Sequence, residues 1–477
     1  EKEKGSMNKI TKFAAVFMAL CVSASAMALA GCEQEAGGGT DNTSKLSSSS
    51  KIDTSGVKEI YYLNFKPEIS DKYEAIAKQY EKETGIKVKV STAASGEYEK
   101  TLSTQMANAD TAPTIFQING PVGYESWKDY CADLSGTDFY ANLSDKSLAI
   151  KNGDGVYGVP YAVEGYGIIY NNAIMDKYFK SSKKSTDYKD MSEINNFKKL
   201  KEVVEDMTKI KDELGIKGVF GSTSLKKGDD WRWQTHLMDL PLYYEMKDGK
   251  TSTITKCLDA KEIEFKYADN FKGIFDLYTS NSCTEKNQLG SKTVDESMSE
   301  FALGNVAMIQ NGNWGWDPIS KTKGNVVKED DIKYLPIYTG VDGEESQGLC
   351  VGTENYFAVN SKVDPAKQQA SVDFLEWLFS SEYGKKAVVK DLGFIAPFTT
   401  FSENERPENP LAKEVLAWME KDGVSSVEWT FQGIPSEHWK EDFGASLLEY
   451  VQGQKEWNKV VDDAKSSWKT EVSLKAE

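Results

Sequence analysis

The chain has 477 residues, 39% hydrophobic and 11% aromatic, enough for two domains or lobes with a sizeable core. A formal net charge of -17 argues against a surface that holds nucleic acid or anionic lipid, and against polyanionic substrates. Only two histidines occur, His236 and His438, which argues against a histidine zinc site or a serine triad. No metal and no cofactor is expected.

Residues 1–6 precede Met7 and are charged and polar. From Met7, Lys9 and Lys12 lead into a mostly apolar run that ends in Leu29-Ala30-Gly31-Cys32. A basic start, a short apolar stretch and small residues before a cut site make residues 1–31 a secretory leader. The rival is a membrane-spanning helix, but the run is of about minimum length and rich in small residues. The L-A-G-C ending resembles the bacterial lipoprotein processing box. That resemblance implies cleavage before Cys32, acylation of its thiol and a lipid anchor in a membrane. Residues 32–56 hold runs of glycine and serine and almost no large apolar residue, so they read as a flexible tether. Cys131, Cys257, Cys283 and Cys350 can pair outside the cytosol or remain free buried thiols.

The body opens with a β-rich apolar run, 57–65, ending at Asn64, Lys66 and Pro67. Tyr73, Ile76, Ala77 and Tyr80 then fall at helical spacing over 71–84, with Ser70 or Asp71 to cap the start and Gly85 the end. Ile86, Val88 and Val90 alternate with lysines as a second strand, completing a β-α-β unit. A turn at 95–98 begins a helix with Tyr98, Leu102 and Met106 on one face, and 114–118 is the next strand. In open α/β sheets ligands gather at the carboxyl ends of strands, so Asn64, Glu97 and Asn119 are candidate contacts. Turn chemistry alone also accounts for each of them.

Residues 153–170 read as two short strands flanking a glycine-rich bend, Glu164-Gly165-Tyr166-Gly167. Residues 195–212 form one long amphipathic helix, and 217–224 a glycine-bounded strand. Trp231 and Trp233 sit two apart near a helix start and cannot face the same way, so at most one reaches a ligand; Trp231 is the candidate. Residues 267–278 carry Phe271, Ile274, Phe275 and Tyr278 as a core stripe. The apolar run 306–309 is broken at Asn311-Gly312-Asn313, after which come Trp314 and Trp316. An indole delivered by a polar turn suits the apolar face of a pyranose ring, so Asn313 and Trp314 are candidates; core packing is the competing reading for Trp314 and the favoured one for Trp316. Further short strands fall at 334–337 and 356–359, with a second crossing between lobes at 348–355. Asp364-Pro365 opens a helix. Two helices close the chain, at 436–450 and 455–468, with Trp457 and Trp468 read as packing.

V-Y-G-V-P-Y followed by G-Y-G-I-I-Y-N, within 156–171, resembles the first interlobe crossover of bacterial extracellular solute-binding proteins for sugars, the group that includes maltose-binding protein. Residues 307–314, A-M-I-Q-N-G-N-W, are similar to the tryptophan-bearing segment of that family, and 392–397 to its late G-x-x-P turn. The order and spacing of the three carry the resemblance from about residue 57 to the end. It implies a two-lobed periplasmic-binding-protein fold of class α/β. Each lobe is then a mixed sheet flanked by helices, joined to the other by several crossovers. The expected lobes are 57–163 with about 357–405, and 164–356 with about 406–477. The resemblance adds Glu164, Tyr166 and an aromatic contact after the late turn. Trp429 is the first choice there and Trp439 the second.

The leading expectation is a monomer, lipid-anchored on the outer face of a Gram-positive type membrane, that passes a carbohydrate to the permease subunits of an ABC importer. No catalysis is expected. A secreted carbohydrate-active enzyme is the alternative; it needs two carboxylates at a set separation, and 74 acidic residues could supply them. A binding protein for a non-sugar solute is the third. Arg232 and Arg406 alone leave little room for an arginine clamp on an amino acid.

Overall fold

The opening β-α-β unit forms first in the chain and sets the first lobe. In the computed structural model, which describes residues 45–476 apart from 95, 223 and 354, the strand Glu59–Asn64 pairs in parallel with Lys87–Thr92. The helix Ser70–Thr84 between them buries Tyr73, Ile76, Ala77 and Tyr80. Gly85 ends it with φ 77°, a left-handed conformation that glycine adopts without a Cβ penalty. The expected side-chain cap does not form. The Ser70 hydroxyl instead meets Thr92 Oγ1 at 2.8 Å, tying the helix start to the sheet.

That sheet has six strands, in the order Lys87–Thr92, Glu59–Asn64, Ile115–Asn119, Asn355–Val359, Gly155–Pro160, Ile150–Asn152. A second sheet runs Ser425–Glu428, Gln347–Gly352, Glu164–Asn171, Val306–Gly312, Gly218–Phe220, with Ile332–Leu335 also paired to Glu164–Asn171. Apolar clusters cover both faces of each sheet, as mixed sheets flanked by helices require. The chain passes from the first sheet to the second at 161–163, returns after Gly352, and enters the second sheet again between Val359 and Ser425. Val163 bridges Ile395, so the late turn lies against the first crossing.

Several elements differ from expectation. The bend foreseen at 164–167 is the start of the strand Glu164–Asn171. Gly165 and Gly167 serve close packing there: a Cβ on Gly167 would sit 2.7 Å from the Leu335 carbonyl oxygen, and one on Gly165 2.7 Å from Val415. The strand Val306–Gly312 continues through Asn311, where a break was expected, because it pairs antiparallel with Glu164–Asn171 up to Gly312 opposite Tyr166. The second crossing is shorter than 348–355, since Gln347–Gly352 is a strand. The long helix divides at Ile210 into Phe197–Lys209 and Lys211–Leu214.

Part of the expected tether, 45–51, is docked on the first lobe. Lys45–Ser47 forms a parallel strand beside Asp133–Gly136, and Leu46 is 2% exposed in the core of the first lobe. One leucine in a polar stretch was enough to dock it. Lys51 adds an ion pair to Asp373 at 2.8 Å. The leader, Cys32 and the tether up to residue 44 lie outside the described residues. Cys131, Cys257, Cys283 and Cys350 are all free thiols. Among the described residues no helix is long and apolar enough to cross a membrane.

Candidate functional site

The second sheet delivers an indole to the place where the lobes meet. After Gly312 the chain makes a short 3-10 turn, Asn313–Gly315, and enters the helix Trp316–Lys321. Asn313 holds this turn: its Oδ1 accepts the Gly165 N–H at 2.9 Å, and its carbonyl accepts Asn409 Nδ2 at 3.0 Å. Trp314 folds back over Gly312, where a Cβ would stand 2.2 Å from the ring. Glycine at 312 is therefore what lets the indole lie flat on the strand. Trp314 is half-buried, whereas Trp316 packs on the apolar cluster of its own lobe.

Aromatic rings surround Trp314. Trp231, His236 and Trp429 have ring centres 6.0, 5.7 and 6.5 Å away, the last edge-on. Trp231 is half-buried, while Trp233 turns inward onto Phe275 and Tyr278. Phe431 stacks on His236 at 4.9 Å. Trp429 is 1% exposed and fits against Gly352, where a Cβ would be 2.6 Å from its ring. Tyr166 packs on His236 and Trp429, and its hydroxyl lies 2.9 Å from both Asp239 Oδ2 and the His236 carbonyl oxygen. Asp239 Oδ1 accepts the Phe431 N–H at 3.0 Å. Burial pushes the Asp239 carboxyl up to about 8. Burial, reinforced by the Arg232 charge, holds His236 well below its usual value, so the imidazole is neutral at pH 7.

The first lobe contributes from the other side. Lys66 reaches over Trp314, with Nζ 5.6 Å from the ring centre, and pairs with Glu164 at 2.7 Å. Asn64 is fully buried and holds the turn that aims Lys66: its amide bonds the Lys66 carbonyl at 2.7 Å and Thr92 at 3.1 Å, and its Oδ1 accepts the Lys66 N–H at 3.1 Å. Asn119 is half-buried at the strand end. The next residue, Gly120, has Gln432 Oε1 of the second lobe 3.1 Å from its Cβ position. Gln432 Nε2 bonds the Thr353 carbonyl in the second crossing. Glu97 is exposed and pairs with Lys100 at 3.2 Å. It sits at the lip, where a Cβ on its neighbour Gly96 would be 2.9 Å from the Gly228 carbonyl oxygen across the gap.

Six of the ten candidates thus share one hub: Glu164, Tyr166, Trp231, Asn313, Trp314 and Trp429. Asn64, Asn119 and Glu97 border it. Trp439 stands apart. Its indole is fully buried between the two last helices, stacked on Phe443 and donating to the Ala464 carbonyl at 2.8 Å. A tryptophan near a helix start carries no sign in the sequence of which way that helix turns its apolar face. Lys66, His236, Phe431, Gln432 and Thr353 were missed. Lys66 and Gln432 each lie beside a residue that was singled out; His236 and Thr353 gave no local signal. Four buried polar atoms in and beside the hub have no protein partner: His236 Nε2, Trp429 Nε1, Thr353 Oγ1 and Asn355 Oδ1. Buried polar groups are normally satisfied, so these are groups that a bound molecule or water can complete.

Two sheets joined by crossings, with an aromatic hub between them, define a two-lobed solute-binding protein. The chain belongs to the bacterial extracellular solute-binding protein family, whose model matches residues 75–415. No curated protein sequence matches it. Among solved structures it is similar to the raffinose complex of RafE, with 19% identity and a TM-score of 0.65 over 87% of this chain and 99% of that one. A sugar transporter protein from Bacillus licheniformis, in complex with stachyose, is similar at 17% identity and a TM-score of 0.64, over 87% and 100%. The GacH receptor of Streptomyces glaucescens, known unliganded and with acarbose, gives 16% and 0.62, over 87% and 99%.

Proposed function

We propose that this protein captures a carbohydrate, an oligosaccharide rather than a single sugar, between its lobes and presents it to the permease subunits of an ABC importer. The observation that carries the reading is the half-buried indole of Trp314, walled by Trp231 and Trp429 at the junction of the lobes. A flat amphipathic ring stacks on the apolar face of a pyranose, and the unpartnered polar groups beside it can bond hydroxyls. The raffinose, stachyose and acarbose complexes of similar folds support the same class of ligand. Closing on ligand about the crossings at 161–163 and after Gly352, with lobes as read from the sequence, would exclude water and alter the outer surface that a permease meets.

The protein binds without turning over its ligand, acts as a monomer and is held at the outer face of the membrane by acylated Cys32. The arginines support a neutral ligand. Arg406 is exposed and paired with Glu420 at 2.9 Å, and Arg232 is buried behind Trp231, so neither is set to clamp a carboxylate. Calorimetry against a panel of neutral oligosaccharides, with assay of new reducing ends, tests the reading. Saturable binding without new ends supports it. New ends would make the protein an enzyme, and silence across the panel with a response to an amino acid or peptide would overturn it.

A further inference from the structure

Behind the Trp231 wall, inside the second lobe, lies a small cavity of about 10 Å³. Arg232, Ser222, Ser224, Tyr278 and Gln310 line it, and all five are buried. Their polar atoms lack partners: Nε and Nη1 of Arg232, the hydroxyls of Ser222, Ser224 and Tyr278, and Oε1 of Gln310. The guanidinium makes one hydrogen bond among the described residues, from Nη2 to Asn311 Oδ1 at 3.1 Å. Asp229 and Asp295 favour its charge through space, without a hydrogen bond. Burial draws the guanidinium down to about 9, which leaves it charged at pH 7.

A buried charge with open donors is costly unless something compensates it. Among the side-chain atoms without partners that line the cavity, donors outnumber pure acceptors: N–H groups on two guanidinium nitrogens and three hydroxyls, against the amide oxygen of Gln310. A water accepts about two hydrogen bonds and adds no charge to what Asp229 and Asp295 supply from a distance. A monatomic anion matches the charge and accepts from several directions at once. The space holds roughly one water-sized sphere, which leaves no room for phosphate, sulfate or a carboxylate. The Ser222 amide is already used, donating to Glu300 at 2.7 Å, so only its hydroxyl is free for the cavity.

We propose that this cavity binds a single chloride ion, held by Arg232 with Ser222, Ser224 and Tyr278. The site lies behind the sugar wall and acts on it through one residue. The Arg232 guanidinium carbon lies 4.0 Å from the Trp231 ring centre, and the Arg232 carbonyl accepts Gln310 Nε2 at 2.9 Å. The anion therefore fixes the residue that backs Trp231.

The test needs no sugar, so it stands or falls apart from the ligand reading. The protein, prepared in sodium isethionate, is titrated with sodium chloride at constant ionic strength while the unfolding midpoint is followed. The midpoint should rise and then level off, as mass action requires of a ligand bound only by the folded state. Tyr278→Phe and Ser224→Ala, which keep the volume nearly intact, should each raise the half-saturating chloride about tenfold or more, the loss expected of a hydrogen bond to a charge. A crystal soaked in bromide should show an anomalous peak beside Arg232. Equal midpoints in chloride and isethionate would overturn the proposal and leave a water in the cavity. A chloride effect unchanged in both variants would overturn it too, by placing the anion elsewhere.

Discussion

Trp314 lies half open on a glycine, and that geometry separates its two possible roles. If the indole stacks on sugar, Trp314→Ala should weaken binding by about 1–3 kcal/mol with little change in the unfolding midpoint. Calorimetry and a thermal melt on the same sample check this. An unfolded variant whose folded fraction binds normally would return the ring to the core. Asp239 gives a second test at this scale. Its carboxyl stands at about 8 when folded, against about 3.9 in an unfolded chain. Between those values the folded state holds a proton that the unfolded state has lost, so stability is greatest below about pH 4 from this group and falls as pH rises toward 8. Asp230, raised to about 6 by burial, acts in the same sense over the lower part of that window. Denaturant midpoints from pH 5 to 8 should therefore fall in the wild type and stay flatter in Asp239→Asn. Below pH 5 the depressed carboxyls of Asp206 and Glu405 work the other way and are left out of the comparison. The candidates read singly from the sequence divide on physical grounds. Asn64, Asn119 and Asn313 were chosen as turn residues that could also meet a ligand. Asn64 spends its side chain on its own turn, and Asn313 spends its side chain tying its turn to Gly165 of the neighbouring strand.

At the scale of elements, the strand Glu164–Asn171 is the beam that carries the site. It pairs with Val306–Gly312 on one edge and with Gln347–Gly352 and Ile332–Leu335 on the other. Its glycines allow that crowding. Gly167→Ala would push a methyl to 2.7 Å from the Leu335 carbonyl, a backbone atom that cannot swing away. Overpacking of this kind costs about 1–3 kcal/mol, read as a lower denaturant midpoint at unchanged slope. The periodicity of the sequence showed where apolar faces lie, so helices such as Ala268–Ser280 and the strands of the first unit were legible. It misread Gly165 and Gly167 as a bend, because a glycine that bends the chain and one that admits a neighbour look the same in one dimension. The docked Lys45–Ser47 strand was hidden for the same reason: one buried leucine has no periodicity.

For the whole molecule, glycines let the lobes approach closely at the lip of the site. Gly96 meets Gly228 backbone to backbone, and Gly120 meets Gln432. On the proposed closure, Gly96 sets how near the lips can come. Gly96→Val should reduce the compaction that saturating oligosaccharide produces in solution scattering and should weaken binding; because φ is 72° here, the side chain also strains the backbone, and the unliganded protein should melt below the wild-type midpoint. Full compaction in the variant would show that the lips do not limit closure. The Lys66–Glu164 pair joins the lobes at the other end of the site, buried on both sides. Lys66→Met leaves Glu164 buried and alone, and should cost about 3–5 kcal/mol of stability, largely recovered by Lys66→Met with Glu164→Leu. Urea denaturation of the two variants checks it.

What the sequence by itself determined is local and ordered. Apolar spacing set the strands and helices, and the succession of three motifs pointed to the family to which the chain belongs. Only tertiary structure decided which side chains meet. Trp314 and Trp429 are 115 residues apart in number, yet their rings approach because the chain leaves the second sheet after Gly352 and re-enters it at Ser425–Glu428. Lys66 comes from the opposite lobe altogether. Direction is the physical reason: periodicity tells which face of an element is buried, but only the packing of one sheet against another tells what that face is buried against.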